Sequence, residues 1–331
     1  MHTRTLGQGL RVSAIGLGAM GMSMGYGPNP GDRDDMLAVL RYAVQEAGVT
    51  FIDTADIYGL GRSESLIGRF LKGRTDKDRF TVATKLGRHP EPGWPANFTR
   101  ETVRKHTEDS LRRLGVDVID LTQTHSLPLE VMRDTGIFDH LRELRDEGKI
   151  RAFGASVESV EEAIFCLNVE GMASLQIIFN IFRQKPIDAL FDQAQQKGVA
   201  LIIRLPLASG LLAGKFTRDT RFAPNDHRSF NRDGEKFNVG ETFAGLLFEK
   251  GLQLVDHIRP WVPTGMTMAQ MALRWCLDFE AVTTVIPGAK RPDQARSNAA
   301  ASDLPMLSPL LHNRLARFYE TAVAPYVRGK Y

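Results

Sequence analysis

Short apolar runs of the length of buried strands alternate with amphipathic stretches of helical period along most of this 331-residue chain. The amphipathic stretches include 34–47, 100–114, 137–147 and 187–197. The strand-like runs lie at 14–18, 49–53, 80–85, 118–124, 151–155, 174–179, 199–204 and 282–286. Strands that alternate with helices pair in parallel, and eight of them suffice to close a barrel. The sequence therefore predicts an α/β fold, a (β/α)8 TIM barrel in a single domain over residues 1–331.

Two long segments interrupt this rhythm. Residues 216–263, after the predicted seventh strand, are too many for an ordinary connection; they are charged at first and helical in their second half. Long barrel loops of this sort are often lids or binding loops, so we expect a partly mobile flap. Residues 308–331 predict a final helix and a tail that reaches the same face of the barrel.

Composition limits the class of protein. With 43% hydrophobic residues the chain can bury a large core, yet it contains no apolar run long enough to cross a membrane. The first residues lead into a strand pattern rather than a signal-peptide core, so we expect a soluble, cytoplasmic protein without a membrane partner. Cys166 and Cys276 match no metal-ligand spacing and are expected to pack as small apolar groups. A net charge of +3 is too small to indicate a nucleic-acid partner.

Four polar side chains lie at or just beyond the ends of successive strands. Asp53 ends the second strand and Tyr58 follows on the next loop, Lys85 ends the third strand, and His125 ends the fourth. Because the carboxyl ends of parallel barrel strands meet at one face, we expect these side chains to lie together. Taken singly, each also has a structural interpretation, as a capping carboxylate, a core aromatic, a solvated lysine or a core histidine. The occurrence of four such side chains at successive strand ends favours a functional site.

These residue types suit a proton-donating site. A tyrosine has an ordinary pKa near 10, too high for an efficient general acid at neutral pH. The ammonium of Lys85 would stabilise the phenolate and lower the pKa of Tyr58, while Asp53 would hold Lys85 charged and in place. His125 would orient a carbonyl oxygen or assist the proton transfer.

The order Asp-x4-Tyr, then Lys, then His resembles the pattern of the aldo-keto reductase superfamily, at positions Asp53, Tyr58, Lys85 and His125. The resemblance runs nearly end to end, with further matches at 6–18, 110–115 and 148–156. It implies a TIM barrel with an N-terminal β-hairpin, a catalytic tetrad formed by the four residues, and NADP(H) as the cofactor.

Two loops suit the phosphates of such a cofactor. Residues 204–215, after the predicted seventh strand, offer small residues, backbone amides and a terminal Lys215, which suit a pyrophosphate that the flap would enclose. After the predicted eighth strand, Lys290 and Arg291 stand beside a proline that can open a helix, which makes an anion site. In isolation, these two cations would be assigned to a solvated surface.

By resemblance, eighteen residues would contact the cofactor: Gly18, Ala19, Met20, Asp53, Ser156, Gln176, Arg204, Pro206, Leu207, Ser209, Gly210, Lys215, Arg228, Gly288, Lys290, Arg291, Gln294 and Asn298. Residues 18–20, Ser156 and Gln176 would face the nicotinamide, and Gln294 and Asn298 the adenosine portion. Lys290 and Arg291 would favour the 2′-phosphate of NADP, because two cations attract an added dianion. Within the flap, Arg221 and Arg228 are candidates to reach phosphate.

The chain departs from the family pattern at three positions. Arg204 stands where an aromatic residue often stacks on the nicotinamide, although a guanidinium plane can stack as well. Val157 replaces the usual Asn or Arg after Ser156, which loses a polar contact, and Ser297 replaces a common Glu near the adenine. None of these changes removes the proton donor.

A Rossmann fold is the alternative that the glycines of 16–21 suggest. That fingerprint requires a helix to open directly on its third glycine. Here the chain continues through 22–31, which is too rich in glycine and proline to start a helix, so the barrel is preferred.

The resemblance implies an NADPH-dependent reductase of aldehydes or ketones. The candidate substrate pocket, Met22, Tyr26, Leu86, Trp94 and Phe230, is largely apolar and suggests a hydrophobic or mixed carbonyl compound.

Two other functions would use the same barrel. A redox-sensing regulatory subunit, similar to the potassium-channel beta subunits, would bind the cofactor with little turnover, but those relatives carry Asn where this chain has His125. A Schiff-base aldolase or isomerase would need an uncharged Lys85, which the nearby Asp53 disfavours.

Overall fold

The computed structural model describes residues 1–7, 9–23, 33–76 and 79–331. It opens with an antiparallel hairpin of β1 (Thr3–Leu6) and β2 (Leu10–Ser13). Eight parallel strands follow and pair in chain order: β3 (Leu17–Gly18), β4 (Phe51–Asp53), β5 (Thr81–Leu86), β6 (Ile119–His125), β7 (Ile150–Ser156), β8 (Met172–Ile178), β9 (Ala200–Arg204) and β10 (Val282–Val285). Parallel bridges from Ile15 to Val285 and from Gly18 to Gly288 join the first strand to the last. The predicted TIM barrel with its N-terminal hairpin is confirmed, and the strand bounds agree within about three residues.

The hairpin closes the end of the barrel opposite the strand ends that carry the predicted site. Leu6 and Val12 are fully buried against side chains from the beginnings of the strands, among them Ala83, Ala152 and Ala200. These alanines leave room for the hairpin side chains inside the barrel. Gly7 lies so close to Ala173 that a Cβ atom on it would stand 2.4 Å from the Ala173 carbonyl oxygen.

Helices surround the barrel in the positions that the amphipathic pattern predicts. They are α1 (Arg33–Gln45), α2 (Arg62–Leu71), α3 (Arg100–Leu114), α4 (Leu129–Asp134), α5 (Ile137–Asp146), α6 (Val160–Leu167), α7 (Asp192–Gln196), α8 (His227–Phe230), α9 (Phe248–Ile258), α10 (Met268–Leu277), α11 (Pro292–Ala300) and α12 (Pro309–Phe318). The stretch predicted at 187–197 begins with a π-helical turn over Ile187–Phe191 before α7. In the region of the alternative Rossmann fingerprint, Met20–Met22 form a 3-10 turn.

The long segment, residues 216–263, begins irregularly and becomes helical in its second half, as predicted. Within it, the ring of Phe222 packs edge to face against the rings of Phe216 and Phe248, which joins the beginning of the segment to its helical half. The C-terminal tail reaches the same segment, because Arg328 donates to the Gly245 carbonyl oxygen at 2.9 Å and pairs with Asp233 at 2.8 Å.

The two cysteines pack as small buried groups, as expected. Cys166 and Cys276 are free, buried thiols, and burial raises the pKa of both. Within the described ranges, no helix is long and apolar enough to span a bilayer. Nor does any cluster of three or more His, Cys, Asp or Glu side chains there offer a metal site.

Candidate active site

The four predicted strand-end residues come together at the carboxyl-terminal mouth of the barrel. The Nζ atom of Lys85 donates to Oδ1 of Asp53 at 2.5 Å and to the Thr54 carbonyl oxygen at 2.8 Å. The same Nζ lies 5.3 Å from the centre of the Tyr58 ring. The rings of Tyr58 and His125 meet edge to face at 5.7 Å between centroids. The pair of Lys85 and Asp53 is buried, whereas Tyr58 and His125 are partly exposed at the mouth.

Local backbone contacts fix the loop that carries Tyr58. Beyond β4 the chain keeps contact with β5, since the Thr54 amide donates to the Ala83 carbonyl oxygen at 2.8 Å. A hydroxyl chain then runs from Thr54 to Ser63, at 3.0 Å, and from Ser63 to the Ala19 carbonyl oxygen, at 3.1 Å. The Ala19 amide in turn donates to the Asp53 carbonyl oxygen at 2.8 Å. The residues predicted at the nicotinamide side are thereby tied to the catalytic strand end.

Asp53 accepts hydrogen bonds from more partners than the sequence indicated. The Nε2 atom of Gln176 donates to its Oδ2 at 2.7 Å, and that of Gln123 at 3.4 Å. Gln176, which was expected at the nicotinamide amide, therefore also holds the carboxylate. Burial lowers the pKa of Lys85, and the charge and hydrogen bond of Asp53 oppose that decrease.

The predicted direction of the Tyr58 pKa was wrong. Enclosure by neighbouring side chains raises the pKa of Tyr58, and the carboxylates of Asp53 and Glu241 raise it further. Together these outweigh the cations of Arg204 and Arg88. The phenol is therefore protonated at neutral pH and can act as a proton donor.

The surroundings of His125 keep its imidazole neutral, as those of Tyr58 keep its phenol protonated. Burial and the charges of Lys85, Arg88 and Arg204 hold its pKa well below the ordinary value. A neutral imidazole carries one N–H donor and one acceptor, so it can orient a carbonyl oxygen without being an acid itself.

A ring of four charged residues surrounds the tetrad: Arg204, which the sequence analysis named, and Arg88, Glu158 and Glu241, which it missed. Arg88 donates to the carbonyl oxygens of His125 and Ser126, both at 2.8 Å, and pairs with Glu158 at 3.3 Å. Arg204 pairs with Glu241 at 3.1 Å. Arg88 and Glu158 each lie two or three residues beyond a strand end, which is a usable sequence signal. No sequence signal marks Glu241, because it lies far from any strand end, within the long segment.

Asp56 is a further buried carboxyl group near the tetrad. Among the described residues, neither of its carboxylate oxygens has a hydrogen-bond partner. Burial and the charge of Glu64 raise its pKa to about 7, although Arg113 and Lys85 oppose this. A carboxyl group whose pKa is higher in the folded than in the unfolded state reduces stability as the pH rises between those two values.

We therefore expect Asp56→Asn to stabilise the protein at pH 8 and to change little at pH 4. The full pKa difference corresponds to about 4 kcal/mol, and entry of water would reduce the gain to about 1–3 kcal/mol. Urea unfolding at both pH values measures it, with the exposed Asp219→Asn as the matched control. An equal change at pH 4 and pH 8 would contradict the proposed burial of the charge.

The loop after β9 has the backbone shape of an anion-binding turn. Ala208, Ser209 and Gly210 have φ angles of 47°, 56° and 100°, and they follow directly on Pro206 and Leu207. Lys215 at its end is exposed. Turns of this kind can present backbone amides to an anion, and here the amides of Ala208 and Gly210 donate within the loop, to the carbonyl oxygens of Leu205 and Leu207.

The candidate phosphate cations differ in their surroundings. Arg228 pairs with Asp226 at 2.6 Å and stacks 4.4 Å from the centre of the Phe222 ring. Arg221 turns back to carbonyl oxygens of its own loop. Lys290 is close enough to Arg228 that burial and this second cation lower its pKa. An anion placed between Lys290 and Arg228 would relieve that repulsion, so the residues present fit a phosphate.

The loop after β10 is ordered by its own hydrogen bonds. The Lys290 amide donates to Oε1 of Gln294 at 2.8 Å, and Nδ2 of Asn298 donates to the Gly288 carbonyl oxygen at 3.2 Å. Arg291 pairs with Asp293 at 3.0 Å on the exposed surface at the start of α11. These side chains hold the loop at the mouth of the barrel, beside Gly18.

Of the predicted substrate-pocket residues, Met22 and Leu86 are buried. Trp94 is 47% exposed, and its Nε1 donates to the Gly87 carbonyl oxygen at 2.6 Å. Phe230 packs against Phe237 within the long segment. Tyr26 lies outside the described residues. A pocket formed by these side chains stays a prediction.

Comparison with known proteins gives a consistent result. The sequence matches the Aldo/keto reductase family over residues 14–320. Aldo-keto reductase yakc of Schizosaccharomyces pombe, whose name specifies NADP(+), is 30% identical over 306 residues, which cover 90% of this chain and 86% of that protein. The holo form of aldo-keto reductase AKR11C1 from Bacillus halodurans superposes with a TM-score of 0.78 at 27% identity, over 98% of each chain. Glycerol dehydrogenase AKR11B4 from Gluconobacter oxydans gives 0.77 at 29% identity, over 97% of this chain and 96% of its own.

Proposed function

We propose that this chain, which belongs to the aldo/keto reductase family, is an NADPH-dependent oxidoreductase that reversibly reduces an aldehyde or ketone to an alcohol. The observation that carries the proposal is the position of the Tyr58 phenol beside the buried pair of Lys85 and Asp53. A regulatory subunit that only senses redox state would not need a neutral His125 at the same mouth.

Tyr58 and its neighbours would manage the proton. Bound NADPH would supply a hydride for the carbonyl carbon, so that the carbonyl is reduced and the cofactor leaves as NADP+. Tyr58 would donate its phenolic proton to the carbonyl oxygen, and the N–H of His125 would orient that oxygen. The Lys85 ammonium, 5.3 Å from the ring centre, would stabilise the phenolate until solvent returns a proton.

The cofactor would lie across the strand ends that hold the tetrad. Residues 18–20, Ser156 and Gln176 would face the nicotinamide, and the turn at Ser209 would hold the pyrophosphate. The 2′-phosphate would lie near Lys290 and Arg291. The exposed Arg291 at the start of α11 and the neighbouring Lys290 support an anion at this point.

An NADPH-oxidation screen tests the reaction class. Aldehydes, quinones, sugars and polycyclic ketones would be the oxidised substrates, and alcohols would be assayed with NADP+ in the reverse direction. Turnover of at least one carbonyl class that is lost in Tyr58→Phe is the expected result. Tight cofactor binding without turnover on any class would instead favour the regulatory subunit.

We expect NADPH to bind more tightly than NADH, and the double variant Lys290→Ala, Arg291→Ala to weaken NADPH selectively. A charge-assisted contact to phosphate contributes roughly 1.5–3 kcal/mol, so loss of both cations should erase most of a preference of about tenfold to hundredfold. Fluorescence titration of each cofactor in wild type and variant measures the preference.

The matched control is Lys197→Ala, which removes an exposed cation just before β9, at the opposite end of the barrel. It should leave both affinities unchanged. Equal loss for NADH and NADPH in the double variant would mean that Lys290 and Arg291 do not contact the 2′-phosphate.

A further inference from the structure

The long segment inserts one carboxylate into the mouth of the barrel. The 3-10 turn Val239–Glu241 brings the Glu241 side chain to Arg204 at the end of β9, where Oε1 and Nη1 are 3.1 Å apart. Arg204 donates through Nη2 to the Val157 carbonyl oxygen at 3.2 Å. Its guanidinium is thus held at two nitrogens, once by the barrel and once by the long segment.

The position of Glu241 is fixed by its backbone. Ser209 donates to the Glu241 carbonyl oxygen at 3.0 Å and accepts from the Phe243 amide at 3.1 Å. Gly240 packs on the buried Arg183, where a Cβ atom would stand 2.0 Å from Nη1, so a larger residue would require the Arg183 side chain to move. The ion pair to Arg204 is therefore part of a packed turn.

The charges around this pair are nearly balanced. Glu158 belongs to the same charged group, because it pairs with Arg88 at 3.3 Å and accepts from Asn238 at 3.1 Å. Burial and the neighbouring Glu241 raise the pKa of Glu158. Burial alone would raise the pKa of Glu241 as well, but Arg204 and Arg88 lower it. The ion pair at 3.1 Å places the Glu241 carboxylate where it offsets the charge of Arg204.

We propose that Glu241 is a positioning residue that holds the Arg204 guanidinium at the nicotinamide position and offsets its charge, so that it sets the relative affinity for NADP+ and NADPH. The inference rests on the proposed function, which puts the nicotinamide beside Arg204. The nicotinamide ring is cationic in NADP+ and uncharged in NADPH. An uncompensated guanidinium next to it would repel only the oxidised form, whereas the pair of Arg204 and Glu241 repels neither.

The test is the ratio of the two dissociation constants in Glu241→Gln, which removes the charge and keeps the size of the side chain. Fluorescence titration with NADP+ and with NADPH should show NADP+ binding weakened about tenfold and NADPH binding changed by less than about twofold. Glu235→Gln, an exposed position of the same segment, is the matched control and should change neither constant. Equal weakening of both forms would mean a merely structural role and would overturn the proposal.

A second variant ties the effect to Arg204. In Glu241→Gln, Arg204→Met the guanidinium is absent, so the ratio of the two dissociation constants should return to within about twofold of the wild-type ratio. A tenfold shift that persists without Arg204 would also overturn the proposal. If the wild-type protein binds neither form of the cofactor, the proposed function itself fails. An unchanged ratio in a protein that binds both forms refutes only the role of Glu241.

Discussion

Tyr58→Phe should lower turnover by a factor of about 10² to 10⁴ and leave the affinity for NADPH within about twofold of wild type. The substitution deletes the phenolic proton and keeps the ring, which contacts His125 edge to face at 5.7 Å. Because the pKa of Tyr58 is raised, the wild-type group is protonated throughout the neutral range, so the loss should be similar from pH 6 to pH 8.

Single-turnover measurement of NADPH oxidation, beside a fluorescence titration of NADPH, separates chemistry from binding. Tyr326→Phe is a matched control, since Tyr326 is 50% exposed and far along the chain from the tetrad. It should retain full activity. If Tyr58→Phe keeps more than a tenth of wild-type turnover while chemistry limits the rate, Tyr58 is not the proton donor.

Lys85→Met should both abolish turnover and destabilise the protein by about 3–5 kcal/mol. The reason for the instability is the partner that remains: Asp53 is 3% exposed and would keep a buried charge with only amide donors from Gln176 and Gln123. Urea unfolding of the variant measures the loss.

The double variant Asp53→Asn, Lys85→Met removes both charges and should recover most of the lost stability without recovering turnover. Recovered stability without recovered turnover would show that the loss of activity in Lys85→Met is chemical and is not caused by unfolding. A Lys85→Met protein as stable as wild type would contradict the buried ion pair. Trapping of Lys85 by borohydride in the presence of substrate would replace the proposed role with Schiff-base chemistry.

Local chemistry explains why much of the fold could be predicted. Helix α3 has the predicted bounds because Thr99 caps its start by accepting from the Thr102 amide, and Gly115 ends it in the left-handed conformation. The tetrad could be predicted because parallel strands bring their carboxyl ends to one face. Both inferences need only short stretches of sequence and one rule of topology.

Contacts between distant loops could not be predicted in this way. Gln176 and Asp53 are 123 residues apart, and their hydrogen bond depends on side-chain direction inside the closed barrel. The pKa of Tyr58 was predicted from the nearest cation, whereas its direction depends on enclosure and on Glu241, which arrives from the long segment. No periodic pattern specifies where such a segment places one carboxylate.

The N-terminal hairpin has a consequence for the route of substrate and product. Leu6 and Val12 close the floor of the barrel, so in the proposed reaction substrate, product and the proton that restores Tyr58 would exchange at the opposite opening of the described structure. Glu241 of the long segment lies at that same opening. In the proposed reaction all three would share this opening, so product would have to leave by the same route through which the next substrate enters.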